Sequence, residues 1–222
     1  MFRQNLSDVR EMTVASGLLA FDTSAAHCAA ALLSAGCVSV MEKKMVRGQA
    51  ENLLPMLCRL LSDANLDFTD LQGIGVGIGP GNFTGVRISV SAARGLGFGL
   101  QIPVIGVSTL EALAWGFSSP VLAAVPARRE QIYAQLFGVE EETTPLLCSP
   151  TFADLHDLVG ELRPPVVGAA AKTVAEHTNW MCAEPNLRLI EAVLQIAKAR
   201  FDQNLLKEMP TPIYLRAATD QT

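Results

Sequence analysis

The sequence is poor in most of the residues that would announce a chemistry. Its five cysteines, at 28, 37, 58, 148 and 182, are an odd number with no CxxC pair. That argues against a disulfide framework and fits a reducing compartment better. No uncharged apolar run reaches bilayer-spanning length. The leader MFRQNLSDVREMTVA (1–15) is interrupted by charge where a secretory peptide needs an apolar core. A cytoplasmic location without a membrane partner is therefore expected. Lysine and arginine number 17 against 22 aspartates and glutamates, a net charge of −5. Binding nucleic acid along a broad surface needs clustered cations, so only a local basic patch is left open.

Histidine is scarcer still. His27, His156 and His177 lie far apart, in neither an HxxxH nor an HExxH pattern, so no metal site is expected. No G-x-S-x-G elbow marks a serine nucleophile. A cysteine nucleophile would need a histidine that only the fold could bring to it. No catalytic residue is assigned.

What the chain has in quantity is apolar side chains, 50% of residues against 18% charged, enough for one or two domains with a proper core. GLLAFDTS (17–24), HCAAALL (27–33) and CVSVMEKK (37–44) read as three strands with short turns, an antiparallel meander. Leu53, Leu54, Leu57, Leu60 and Leu61 then recur at helical spacing. That helix is expected to begin close enough to Pro55 to hold it in its first turn. GIGVGI (73–78) alternates like a strand, and a helix from about Gly85 to Gly99 follows it. The second half repeats the order. Strands at 121–125, 132–138 and 145–149 precede a helix capped by Thr151 and Asp154, then the strand PVVG (165–168) and the helix AAAKTVAEHT. A last amphipathic helix covers about 188–201. A duplicated β-β-β-α-β-α order predicts an α/β protein of two lobes, the actin-like, ribonuclease-H-like (ASKHA) architecture. Its boundaries are expected at 1–15 for a polar tail, 16–107 for the first lobe and 108–222 for a reduced second lobe.

Two places invite a function. Asp22, followed by Thr23 and Ser24, ends the first strand, where ligands gather in open α/β sheets. It could hold a magnesium–phosphate group. The simpler reading, preferred because no second acid is near, is that Asp22 and Thr23 satisfy backbone donors in a tight turn. The second place is GPGNFTG (79–85), within a run from Gly73 to Gly99 that carries nine of the seventeen glycines. It lacks the P-loop lysine, and Thr84 stands where a dinucleotide fingerprint needs glycine. Gly79, Gly81, Thr84 and Gly85, with Arg87 in the first helical turn, still leave an anion at the helix N-terminus physically cheap. A turn allowing close backbone approach is an equally good account. In the following helix Gly95, Gly97 and Gly99 each cost about 1 kcal/mol relative to alanine, so close approach of another helix is expected to compensate.

LLAFDTS, RGQAENLLPML, GIGPGNFTGVRISVSAARGLGFG, PVIGVSTLEALA, ARREQIYAQLF and the terminal PIYLR together resemble the TsaB (YeaZ) family over about 17–216. The resemblance implies the actin-like fold and a non-catalytic subunit in the synthesis of N6-threonylcarbamoyladenosine at position 37 of tRNA. It implies a TsaD paralogue as the catalytic partner, the ATPase TsaE as a third member, and contact with tRNA only indirectly. No cofactor of its own is implied, though a nucleotide at the partner interface is left open. The chain reads Gln49, Ala50 and Glu51 where relatives commonly keep HSE, so the histidine is replaced by Gln49, and it has Pro126 where they usually have aspartate. The family pairs through the two helices of the first lobe. The resemblance therefore points to Leu53, Leu54, Leu57, Leu61, Val86, Ser89, Val90, Ala93 and Gly97 as partner-binding, and allows a homodimer through the same face. The glycine loop with Asp22 becomes a vestigial nucleotide site. The alternative is a free-standing actin-like ATPase or peptidase-like enzyme.

Overall fold

The computed structural model describes residues 16–140, 143–205 and 208–215, apart from the Phe152 side chain. The expected tail at 1–15, and Arg216 of the terminal YLR, lie outside those residues. β1 (Gly17–Asp22) is buried along its whole length and pairs antiparallel with β2 (His27–Ser34), which pairs with β3 (Cys37–Lys44). Ala35 and Gly36 join the latter two with φ of 49° and 77°, the two positive values that a tight hairpin needs to match strand twist. β4 (Leu71–Gly77) and β5 (Val104–Val107) add on the other side in parallel, giving the order β3-β2-β1-β4-β5.

Two helices cover one face of this sheet. α1 (Gln49–Asp63) sends Leu53, Leu57, Leu60 and Leu61 onto it, and α2 (Phe83–Leu100) sends Val86, Val90 and Ala93. Each fully buried leucine of this kind is worth about 1.5–3 kcal/mol against exposure. α1 starts one and a half turns before Pro55, so the proline lies inside the helix on its exposed side rather than in the first turn. Gly48 supplies the start, with φ 90°, and Asn52 Nδ2 donates back to its carbonyl oxygen at 2.8 Å.

The second lobe repeats the first. β6 (Val121–Pro126), β7 (Ile132–Phe137), β8 (Leu146–Cys148), β9 (Val166–Val167) and β10 (Cys182–Ala183) form a sheet of order β8-β7-β6-β9-β10. That is the order of the first sheet strand for strand. α4 (Phe152–Val159) and α5 (Ala171–Thr178) accompany it, and Thr151 caps α4 through the Asp154 N–H as its sequence suggested. The mixed α/β fold is thus actin-like and two-lobed, with the duplicated order read from the sequence.

The third helix of each half does not stay with its own lobe. α3 (Thr109–Ala114), which follows β5, packs against β6 and β7 of the second sheet. α6 (Leu189–Asp202), which follows β10, returns to the free face of the first sheet, packing on β1, β2, β4 and β5. Its Ile190, Val193, Ile196 and Ala197 share a core with Leu18, Ala20 and Ile105. Division at 107/108 is accordingly corrected: the last helix expected in the second lobe completes the first. The segment 210–215 follows it there, with the Ile213 N–H donating to the Ile78 carbonyl oxygen at 2.9 Å.

Candidate functional site

The glycine loop meets the end of β1 as the sequence suggested, but the space between them is filled by the chain itself. Asp22, Thr23 and Ser24 are all but inaccessible. Asp22 Oδ2 accepts from the Ser24 N–H at 3.0 Å and from Ser24 Oγ at 2.9 Å, and lies 2.7 Å from His27 Nε2. Thr23 Oγ1 donates to the Gly85 carbonyl oxygen at 2.6 Å, and the Asn82 N–H donates to the Ser24 carbonyl oxygen at 2.6 Å. Thr109 N–H closes the loop from the other side, on the Gly79 carbonyl oxygen at 2.8 Å.

The glycines show how tight this seam is. A Cβ at Gly81 would stand 2.5 Å from the Ser24 carbonyl oxygen, and one at Gly85 only 1.9 Å from that of Thr23. These glycines permit backbone-to-backbone contact within the protein. Asn82 Oδ1 takes the Gly85 N–H at 3.0 Å and so occupies one of the helix's free donors. Thr84 and Arg87 are exposed. The Arg87 guanidinium sits 3.7 Å from the Phe83 ring centroid, and its Nε donates to the Tyr214 hydroxyl at 2.8 Å.

His27 was not singled out in the sequence as a partner for Asp22. Burial works against its protonated form, but the hydrogen bond and charge of Asp22, with Glu42 beyond, outweigh burial and raise its pKa above 6.5. The available sign was its place in the first position of the strand that pairs with the one Asp22 ends.

The predicted partner-binding residues divide differently from expectation. Leu53, Leu57, Leu61, Val86, Ser89, Val90, Ala93 and Gly97 all face the chain's own sheet and are buried; Leu54 alone of the nine is exposed. The reason is general: the strongest apolar periodicity of a surface helix marks its core face. Gly97 is compensated inside the chain, since a Cβ there would meet Val104 Cγ2 at 2.2 Å. The outward side of α2 carries Ser91, Arg94, Gly95, Phe98 and Gly99. Among the described residues nothing lies within 4 Å of a would-be Cβ at Gly95 or Gly99, and Phe98 is 82% exposed. On α1 the outward residues include Glu51, Leu54, Pro55 and Cys58.

Gln49 donates weakly to the Met45 carbonyl oxygen at 3.4 Å and presents an amide, not an imidazole. Among the described residues no three histidine, cysteine or acidic side chains are grouped to hold a metal ion. Pro126 ends β6 exposed, and Arg128 and Arg129 follow it in the exposed β6–β7 turn. No described helix is long and apolar enough to cross a membrane.

Residues 40–198 match the family profile described as "TsaD: tRNA N6-adenosine threonylcarbamoyltransferase". Among curated proteins, the Escherichia coli K12 "tRNA threonylcarbamoyladenosine biosynthesis protein TsaB" is 38% identical over 121 residues, 52% of this chain and 52% of that protein. The chain thus spans about half the length of the curated relatives it matches. Two solved Pseudomonas aeruginosa structures each cover 90% of this chain and are covered completely by it. One, named YeaZ, is 30% identical with a TM-score of 0.74; the other, described as similar to peptidase YeaZ, is 29% identical with a TM-score of 0.77. With the duplicated sheets and the closed strand-end loop, these matches show that the chain belongs to the TsaB (YeaZ) family, within the sequence family of TsaD.

Proposed function

We propose that this chain is a non-catalytic scaffold subunit in the synthesis of threonylcarbamoyladenosine in tRNA. It binds and activates a TsaD-type partner, which transfers the threonylcarbamoyl group to N6 of adenosine 37. TsaE joins as the ATPase, and tRNA is met only through the assembly. The observation that supports this reading most is the outward side of α2. Gly95 and Gly99, one helical turn apart, cost about 1 kcal/mol each relative to alanine and meet nothing among the described residues that would compensate. Beside them stands an almost fully exposed phenylalanine, and Leu54 is 48% exposed on the neighbouring α1. A helix laid closely across the small residues would bury both. In the partner's absence a second copy of the chain would cover the same face.

The competing reading, a free-standing ATPase or peptidase-like enzyme, draws its support from the description of one structural relative. Against it stands Asp22: its Oδ2 already has three partners at 3.0 Å or less. The loop is therefore read as a vestigial phosphate site with no cofactor of its own, and a nucleotide in the complex would have to lie at the partner interface.

Phe98→Glu and Leu54→Glu, titrated against purified TsaD, test the docking face. Affinity should fall about tenfold or more for each, roughly 1.4 kcal/mol or above, with the thermal midpoint of the isolated chain unchanged. Full affinity in both variants would refute the assignment. Ala93 and Gly97 are unsuitable probes, because bulk there disrupts this chain's own core.

A further inference from the structure

The chain passes between lobes twice, once from β5 to α3 and once from β10 to α6, and side chains tie the two crossings together. Arg200, in the last turn of α6, donates through Nη1 to the Gly106 carbonyl oxygen at 2.7 Å. Its Nη2 donates to both carboxylate oxygens of Glu111, at 2.7 and 2.9 Å. Gly106 lies on the strand before the first crossing, Glu111 on the helix after it, and Arg200 on the helix after the second. A further bond joins the same segments, from Asn186 Nδ2 to the carbonyl oxygen of Trp115, the residue that ends α3, at 3.2 Å. Between these bonds α3 and α6 pack directly, with Ala112 in one core with Ala192 and Ile196.

We propose that Arg200 and Glu111 form a clasp that holds the two lobes in one fixed relation. Two-lobed proteins commonly close about such crossings, using a few residues that absorb the rotation. Here each lobe has lent its third helix to the other, so any rotation must slide α3 past α6. A planar guanidinium holding three acceptors on two elements resists that slide in a way a single ammonium cannot. Arg200 and Glu111 are each a little over one quarter exposed, so water weakens the pair only in part. The chain then acts as a rigid platform whose outer helices keep their pose whether or not anything is bound.

Native thiols provide the test. Cys58 is exposed on the first lobe and Cys182 on the second, while Cys28 and Cys148 are buried, their thiols pushed up to about 11 by burial. With Cys37→Ser removing the remaining exposed thiol, spin labels at Cys58 and Cys182 report the interlobe distance by double electron–electron resonance. The parent chain should give one narrow distance. Arg200→Met should broaden it or add a second, and Arg200→Lys, which keeps the charge without the fork, should fall between. If Arg200→Met does not fold by circular dichroism, Glu111→Gln must broaden the distribution instead. A broad distribution in the parent, or a folded clasp variant as narrow as the parent, would overturn the proposal.

Discussion

Thr23 and Gly85 are locked against each other: the Thr23 side-chain hydroxyl donates to the Gly85 carbonyl oxygen at 2.6 Å, and a Cβ at Gly85 would stand 1.9 Å from the Thr23 carbonyl oxygen. The obstacle is main chain on both sides, so no side-chain rotation relieves it. Gly85→Ala should destabilise the protein by roughly 2–4 kcal/mol, measured by denaturant unfolding. A loss below the spread of replicate measurements would mean that the seam is looser than the structure has it.

Gly95→Ala should do the opposite to the isolated chain. The residue is in the interior of α2 with open space around it among the described residues, so alanine should stabilise by about 0.5–1 kcal/mol, a rise of roughly 1–4 °C in thermal midpoint. Under the docking proposal the same methyl group intrudes on the approaching helix, and Gly95→Leu more so. Stability and partner affinity should therefore move in opposite directions. An affinity unaffected by leucine at this position would remove the explanation for the glycine.

The His27–Asp22 pair makes stability depend on pH with a definite sign. The folded-state pKa of His27 is raised above 6.5, so its contribution is fully present below 6.5 and is lost as pH rises through the raised value. The parent chain should thus lose more thermal stability than His27→Gln across that window. By NMR, the imidazole should titrate above 6.5 in the parent and at or below 6.5 in Asp22→Asn, where burial acts with less opposition. A midpoint that does not move in Asp22→Asn would break the assignment of the partner.

Thiol reactivity should separate the five cysteines by burial. Cys37, Cys58 and Cys182 are exposed, whereas Cys28 and Cys148 are buried with thiols pushed up to about 11. Near neutral pH the buried pair is almost wholly protonated and out of reach, and the thiolate is the reactive form. A chromogenic disulfide should titrate three thiols in the native protein and five in denaturant. Five fast thiols in the native state would contradict the packing around β2 and β8.

Much of this architecture is legible in the residues because local pattern and tertiary role agree. Alternation in GIGVGI, spaced leucines at 53, 57, 60 and 61, and the turn at 34–36 each report on their own neighbourhood. What the sequence hides is relational. Nothing in the helix at 189–202 says that its apolar stripe belongs to the other lobe's sheet, since the stripe looks alike whichever sheet it covers. The same limit applies to α2, where Val86, Val90 and Ala93 are core residues of this chain although the family resemblance pointed to them as partner-binding. The outward Ser91, Gly95 and Gly99 stand out only once each glycine's surroundings are known. His27 and Tyr214 were missed as partners of Asp22 and Arg87 because hydrogen-bond partners across strands or distant segments leave no spacing to read.

Reconstitution decides whether this chain contributes a surface or a reaction. Purified TsaD, TsaE, threonylcarbamoyl-adenylate and unmodified tRNA are combined with and without this chain, and modified adenosine is counted by mass spectrometry. Modification is expected only with the chain present, retained in Asp22→Asn variants that fold and lost with Gly95→Leu. Equal modification without the chain, or loss of activity in a folded Asp22→Asn variant that still binds TsaD, would contradict the surface role.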